Sequence, residues 1–171
     1  MGLEMTAGRR TESLGELYAR HAPAAGRLAY LLTGDRDLAE DIAQEAFLRV
    51  IARFGSLRSP ESFRPYLQRT VVNLARGHFR RRRTEREYVS GEGSRRARDV
   101  ATFPDVEERD TIMRALEGLS ARQRAAIVLR YYEDLSERQT ADLLGCPVGT
   151  VKSLVARGTE RLREQLGGVR G

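Results

Sequence analysis

Several residue types are scarce in this sequence, and each shortage removes a class of protein. One cysteine and two histidines among 171 residues cannot build a disulfide framework or a Cys/His zinc site. No apolar run approaches the roughly eighteen residues of a membrane-spanning helix, and no secretion signal opens the chain. We therefore expect a cytoplasmic protein that uses no metal and no cofactor.

Lysine occurs once, at Lys152, so arginine supplies nearly all the positive charge. The formal net charge is +6, and residues 61–100 hold 11 arginines against 5 acidic residues. The flanking segments are balanced, with 8 against 8 before this window and 11 against 11 after it. The entire excess lies in one window, which favours a polyanionic partner such as nucleic acid or a membrane surface.

Apolar residues recur at spacings of three and four, and no strand-like alternation occurs, so the sequence predicts an all-α protein. A first helical group around Leu17 is followed by a predicted break at Pro23. A second helix is predicted over 36–54. A third runs through Phe63 and Leu67 into the arginine cluster 80–83.

The failure of this pattern near the middle of the chain predicts two small helical domains joined by a flexible linker. Residues 1–12 are expected to be a disordered N-terminus, and residues 13–83 a helical bundle. The linker is expected over 84–106, the second helical domain over 107–166, and a short tail over 167–171. Within the second domain, Ser120 precedes a strongly apolar helix predicted over 125–132.

The stretch 135–166 predicts a helix, a tight turn and a longer helix. Ser136 can cap a helix that ends at Gly145 in the left-handed conformation, and the next helix begins at Val148 or Gly149. Close helix crossing needs small or branched residues at Ala141, Gly145 and Val151. An ordinary helical hairpin is the alternative. A DNA-binding motif would place Thr150, Lys152 and Ser153 in the major groove and would direct Arg157 and Arg161 to phosphates.

Residues 136–163 resemble region 4 of the extracytoplasmic-function sigma factors of the sigma-70 family, the part that reads the −35 promoter element. The sequence differs from the common family pattern at Leu154 and Thr159, where arginine is frequent. The resemblance implies that the −35 DNA-binding residues are Thr150, Lys152, Ser153, Arg157 and Arg161.

The stretch AEDIAQEAFLRV, residues 39–50, resembles region 2.2 of the same family, which grips the coiled coil of the RNA polymerase β′ subunit. Turning its apolar stripe inward would gather Asp41, Gln44, Glu45 and Leu48 on the opposite face. The resemblance implies that these four residues bind the polymerase. A charged outer face that is merely solvated is the alternative.

The stretch FRPYLQRTVVNLARGHFRRRR resembles regions 2.3 and 2.4, which open and read the −10 element. It holds seven arginines and no acid from Arg64 to Arg83, with aromatic residues interleaved, a combination that suits phosphates and unpaired bases. Alternatively, Tyr66 and, more strongly, Phe63 belong to the core, and Asn73 hydrogen-bonds within the bundle. The implied −10 DNA-binding residues are Tyr66, Arg69, Asn73, Arg76, Phe79, Arg80, Arg81, Arg82 and Arg83.

Together these resemblances imply a sigma factor without catalytic activity of its own. It would bind core RNA polymerase through the β′ coiled coil and the β flap, together with duplex −35 and melted −10 promoter DNA. They leave room for an anti-sigma factor and imply no membrane partner. A stand-alone helix-turn-helix regulator is the first alternative. A small metal-dependent nuclease is the second, and it would need a carboxylate cluster such as Asp35, Asp37, Glu40 and Asp41.

Overall fold

The computed structural model describes residues 13–54, 60–88 and 106–167, which are helical apart from short turns and contain no strand. This confirms the all-α prediction. The helices are α1 (Leu14–Thr33), α2 (Arg36–Phe54), α3 (Phe63–Tyr88), α4 (Val106–Glu117), α5 (Ala121–Ile127), α6 (Glu137–Leu144) and α7 (Val148–Gly167). The predicted disordered N-terminus, most of the predicted linker and nearly all of the predicted tail lie outside the described residues.

Helix α1 begins at a capping box and ends at a left-handed glycine. The Ser13 hydroxyl accepts a hydrogen bond from the Glu16 amide, and the Glu16 carboxylate accepts one from the Ser13 amide. Gly34, at φ 71°, closes the helix. The predicted break at Pro23 is wrong, because α1 runs through it. Pro23 is exposed, so water can satisfy the backbone carbonyl that the proline leaves without a donor.

Helices α2 and α3 complete the N-terminal domain. Helix α2 has the predicted bounds, and α3 follows a short 3-10 turn at Pro60–Ser62. Phe63 at the start of α3 is fully buried, and its ring lies 5.5 Å from that of Phe47 on α2. The core reading of Phe63 is therefore confirmed. Helix α3 continues past the arginine cluster to Tyr88, and its side chains from 80 to 85 are all exposed.

The C-terminal domain contains helices α4 to α7 and one wider turn. Ser120 forms a capping box with Gln123, so α5 begins at Ala121, four residues before the predicted start. The chain then widens into a π-helical segment, Val128–Tyr132, where the Glu133 amide reaches back to the Val128 carbonyl at 3.1 Å. The predicted helix over 125–132 is present, but it begins four residues earlier and changes from α-helical to π-helical winding at Val128.

The predicted helix-turn-helix is present. Ser136 forms a third capping box with Gln139, and Gly145 ends α6 with φ 60° and ψ 43°. Ala141 on α6 and Val151 on α7 are both buried, as their predicted packing role requires. Farther along α7, Gly158 is buried against α5, where an added Cβ would lie 3.0 Å from the Ile127 side chain.

The two domains are in contact in this structure. Buried side chains from both form one continuous apolar cluster, which joins α1, α2 and α3 to α4, α5 and α6. Polar contacts frame it, including a hydrogen bond from the Arg27 guanidinium to the Tyr132 hydroxyl at 3.2 Å. The sequence pattern predicted the two domains separately, and it held no signal for this contact.

Candidate nucleic-acid and partner interfaces

The predicted partner face lies on the solvent side of α2. Asp41, Gln44, Glu45 and Leu48 are all exposed, whereas Ala39, Ile42, Ala46, Phe47 and Val50 on the opposite side are buried. Leu48 is 68% exposed, the highest value among the large hydrophobic side chains of the described residues. The face therefore presents an apolar centre with carboxylates beside it, and Arg49 pairs with Glu45 at 2.5 Å along its edge.

Tyr18 on α1 contacts α2, and sequence reasoning assigned it no role at a binding surface. Its ring packs edge-on against Phe47, with centroids 4.9 Å apart and an interplanar angle of 84°. About half of Tyr18 remains exposed, and Phe47, the residue that its ring contacts, lies on the buried side of α2. Its partial exposure could have been expected from the sequence, because a tyrosine at the edge of an apolar stripe can keep its hydroxyl in water.

The predicted −10 residues follow α3 but differ in accessibility. Arg69 and Asn73 are exposed near the middle of the helix, and Arg80, Arg81, Arg82 and Arg83 are exposed near its end. Tyr66 is half-buried and packs against the core, and its hydroxyl accepts a hydrogen bond from Arg53 at 2.9 Å. The exposed position of Asn73 leaves its side chain accessible to a ligand.

The pKa of His78 is affected by burial and by the positive charges along α3. Its pKa is lowered from the ordinary value, first by burial and then by the charges of Arg82 and Arg81. The carboxylates of Asp35 and Glu85 oppose this shift without reversing it. The imidazole is therefore predominantly neutral at neutral pH, and α3 carries its charge on arginines.

A cleft of about 800 Å³ separates the end of α3 from the C-terminal domain. One wall is formed by α3, with Arg76, Phe79, Arg80, Arg82 and Arg83. The other includes Ala121, Arg122 and Ala125 of α5 and the turn residues Leu144 and Gly145. Within it, Arg76 donates a hydrogen bond to the Leu143 carbonyl at 3.2 Å. Part of the predicted −10 set thus faces the other domain.

The predicted −35 residues lie on the exposed side of α7, except for half-buried Thr150. Arg157 and Arg161 are exposed one turn apart, and the Ser153 hydroxyl donates to the Gly149 carbonyl at 3.1 Å. Lys152 lies 3.7 Å from the Glu137 carboxylate, both groups being largely exposed. Leu154, at a position where the family often has arginine, is instead half-buried against the core.

Sequence reasoning missed Arg124, the most buried charged side chain among the described residues, at 6% exposed. Its Nε donates to the Leu31 carbonyl of α1 at 2.5 Å. Burial lowers the pKa of Arg124, and Glu117 and Tyr30 oppose that shift. An arginine immediately before the apolar run 125–129, in the helix predicted to follow Ser120, was the available signal.

The described residues contain no group of three or more His, Cys, Asp or Glu side chains arranged to hold a metal ion. The acidic residues near the start of α2 therefore form no such site in the described parts. Across the same parts of the chain, no helix combines the length and apolarity needed to cross a membrane.

Comparison with known proteins extends over both domains. The Sigma-70 region 2 family matches residues 17–85, and the Sigma-70 region 4 family matches residues 109–162. The chain is 35% identical to the ECF RNA polymerase sigma factor SigE of Mycolicibacterium smegmatis over 90% of its length, and it spans 62% of that relative. It is 32% identical to the ECF RNA polymerase sigma factor SigW of Bacillus subtilis, covering 82% of this chain and 81% of that one.

Among solved structures, the sigma factor RpoE of Bartonella quintana, in complex with the anti-sigma factor NepR, is 28% identical with a TM-score of 0.73. The match covers 90% of this chain and 96% of RpoE. A stand-alone helix-turn-helix regulator would account for the region 4 match alone, whereas both halves match here. The chain therefore belongs to the extracytoplasmic-function RNA polymerase sigma factors, with regions 2 and 4 of the sigma-70 family.

Proposed function

We propose that this sigma factor binds core RNA polymerase through the outer face of α2, holds the −10 element along α3 and reads the −35 element with α7. The observation that carries the proposal is the order of three distinct surfaces in one chain: an apolar and acidic face, an arginine and aromatic face, and a helix-turn-helix. A DNA-binding regulator alone has no use for the first of these.

The α2 face fits a basic helical partner such as the polymerase β′ coiled coil. Leu48 offers apolar area at the centre, and the Asp41 and Glu45 carboxylates lie near it. Such an arrangement matches interfaces whose apolar centre provides affinity and whose charged rim provides orientation.

The α3 face fits DNA in the course of strand separation. Exposed arginines along the helix attract phosphates of either single or paired strands. Tyr66 and Phe79 add rings on which an unpaired base can stack, with Asn73 exposed between them to hydrogen-bond a base edge. Because stacking requires a base to leave the duplex, the aromatic residues favour a role in opening beyond a role in binding.

Helix α7 fits duplex DNA. In a helix-turn-helix, the N-terminal part of the second helix contacts base edges, and here that part carries Thr150, Lys152 and Ser153. Arg157 and Arg161 follow toward the C-terminus and suit the phosphate backbone. An anti-sigma partner is supported by the complex of the RpoE relative with NepR.

Polymerase binding is tested by co-purification of the full chain with core RNA polymerase. The double substitution Gln44→Ala and Glu45→Lys should weaken binding at least tenfold while leaving the thermal melt unchanged, because both side chains point to solvent. Glu164→Lys on α7 makes the same charge change away from α2 and should bind normally. Unchanged affinity of the double variant would contradict the assignment of this face.

The role of α7 is tested by the salt dependence of binding to −35 duplex DNA. Arg157→Ala should reduce the slope of log affinity against log salt by about one, because one phosphate contact is lost. Arg20→Ala on α1 is the matched control and should leave the slope unchanged. Thr150 or Ser153 substitutions should alter sequence preference instead. An unchanged slope for Arg157→Ala would show that Arg157 contacts no phosphate.

A further inference from the structure

The cleft between α3 and α5 is lined by positive charge of one sign only. Its described lining holds five arginines and no acidic residue, with Arg76, Arg80, Arg82 and Arg83 on α3 and Arg122 on α5. A concave surface with charges of one sign focuses the electrostatic potential and concentrates ions of the opposite sign. The cleft is therefore suited to an anionic ligand.

The remaining lining of the cleft is mostly apolar. It includes the buried side chains Leu32, Val72, Ala75, Ala125 and Leu144. Phe79 lines the same space but is only half-buried, and its ring lies edge-on to that of His78, with centroids 6.0 Å apart. An accessible ring beside apolar side chains suits a flat group such as a nucleobase. A simple inorganic anion would make no use of this surface.

The arginines of the cleft have different roles. Arg76 Nη1 donates to the Leu143 carbonyl at 3.2 Å, so this side chain helps to hold the two walls together. Arg80, Arg82 and Arg122, by contrast, are exposed and can turn towards a ligand. Guanidinium groups bind phosphate oxygens through paired hydrogen bonds. Three such groups on two walls can contact successive phosphates of one ligand.

The volume of the cleft, about 800 Å³, falls within the range of small-molecule sites. We propose that the cleft binds a free nucleoside polyphosphate, with the base against Phe79 and the phosphates on Arg80, Arg82 and Arg122. This binding goes beyond the proposed function and does not rest on it, because Arg122 belongs to neither predicted DNA-binding set. A melted −10 strand also offers bases and phosphates, so the test distinguishes the two sources.

Binding is tested on the full chain by isothermal titration calorimetry with ATP, GTP, CTP and UTP. At least one of them should bind. Inorganic tripolyphosphate, which lacks the base, and the matching nucleoside, which lacks the phosphates, should each bind about tenfold more weakly or less. Failure of all four nucleotides to bind would overturn the proposal. Tripolyphosphate that binds as tightly as the nucleotide would also overturn it, because the ring and the apolar lining would then have no part.

Two variants test the residues of the cleft. Arg122→Ala should weaken nucleotide binding about tenfold, because a charge-assisted hydrogen bond to phosphate is lost. Arg163→Ala removes the same charge from an exposed position on α7 and should bind like the parent protein. Phe79→Leu keeps an apolar side chain without the ring, and should weaken nucleotide binding while leaving tripolyphosphate binding unchanged. Equal losses in Arg122→Ala and Arg163→Ala would show a response to net charge alone and would overturn the site.

The two histidines show where the nucleotide binds. After burial, the charges of Arg82 and Arg81 lower the pKa of His78. Phosphates bound at Arg82 would offset its charge, so the nucleotide should raise the pKa of His78, measured by NMR titration. His21, whose ring lies 5.1 Å from that of Phe63 between centroids, is the internal control and should keep its pKa. Nucleotide binding that leaves the pKa of His78 unchanged would overturn the assignment to this cleft.

Arg122 and Arg81 separate a free nucleotide from the −10 strand. Arg122 lines the cleft and lies outside the predicted −10 set, whereas Arg81 belongs to that set and lies outside the described lining of the cleft. Arg122→Ala should therefore lose affinity for the nucleotide and keep its affinity for a single-stranded −10 oligonucleotide, and Arg81→Ala should do the reverse. Loss of both ligands in Arg122→Ala would make the cleft part of the DNA site and would overturn a separate nucleotide site. Normal DNA binding by Arg81→Ala would count against the −10 assignment alone, and the nucleotide result would stand.

Discussion

The N-terminal domain packs large side chains between three helices of 19 to 26 residues, whereas the C-terminal domain places several segments of 5 to 12 residues before its one helix of 20 residues. Phe63, Leu17 and Leu28 are among the largest fully buried side chains, and all three lie in the N-terminal domain. The C-terminal domain contains capping boxes at Ser120 and Ser136 and the left-handed Gly145. Capping boxes and left-handed glycines occur in both domains, at Ser13 and Gly34 in one and at Ser120, Ser136 and Gly145 in the other, so the domains differ mainly in the lengths of their helices.

This difference also separates the two DNA-binding surfaces. The proposed −35 residues all lie in one helix, α7, which begins directly after the turn of the helix-turn-helix. The −10 residues extend along most of α3, a helix whose position depends on packing against α1 and α2. Loss of core volume should therefore affect −10 function before −35 function.

The largest effect on stability is expected from the core of the N-terminal domain. Phe63→Ala should reduce the free energy of unfolding by about 3–5 kcal/mol, because it removes a fully buried ring and leaves a cavity. Leu48→Ala, largely exposed on α2, should change it by less than about 0.5 kcal/mol. Denaturant unfolding measures both. Similar losses would contradict the core assignment.

A smaller loss is expected at the turn of the C-terminal domain. Gly145→Ala should cost about 1–2 kcal/mol, because a side chain at positive φ is strained. Gly149→Ala is the control: it lies inside α7, its Cβ would meet nothing within 4 Å, and alanine favours helix. If both substitutions had the same effect on thermal unfolding, the turn geometry would not be the source of the loss.

The next largest loss of stability is expected from removal of a helix cap. Ser136→Ala should cost about 1 kcal/mol, because the Gln139 amide loses its acceptor. Ser153→Ala, whose hydroxyl donates to a carbonyl within α7, is the matched control and should be nearly neutral. Equal melting temperatures for Ser136→Ala and the parent protein would show that this cap does not stabilise the domain.

The smallest effect concerns pH. Because the pKa of His78 is lower in the folded chain than in the unfolded one, the unfolded state binds more protons just below neutrality. Stability should fall as pH drops from the unfolded pKa of about 6.5 toward the folded value. His78→Gln should remove this part of the pH dependence, measured by denaturant midpoints at pH 7 and 5. The same slope in both proteins would exclude His78 as its source.

Features that depend on interactions within a few residues were predicted from the sequence, whereas features that depend on distant residues were not. Ser136 and Gly145 were read correctly because a cap or a turn is encoded within a few residues, and α2 was bounded correctly by its apolar stripe. The helix break predicted at Pro23 was wrong because the hydrogen bond that proline cannot make is tolerated on the exposed side of α1. The contact of Arg124 with Leu31 could not be predicted, because no local pattern specifies a partner in another domain.

If α3 both attracts and opens promoter DNA, open-complex formation should depend on its rings and on its arginines in different ways. Holoenzyme containing Tyr66→Ala or Phe79→Ala is followed by a fluorescent base near the start site, on duplex and on pre-melted templates. A ring that stacks on an unpaired base should cost about 1–3 kcal/mol in binding the single −10 strand. The paired variant Arg81→Ala and Arg82→Ala should weaken binding to both templates. We expect the pre-melted template to rescue the aromatic variants and not the arginine variant. Equal defects of the aromatic variants on both templates would contradict it, and would assign Tyr66 and Phe79 to packing alone.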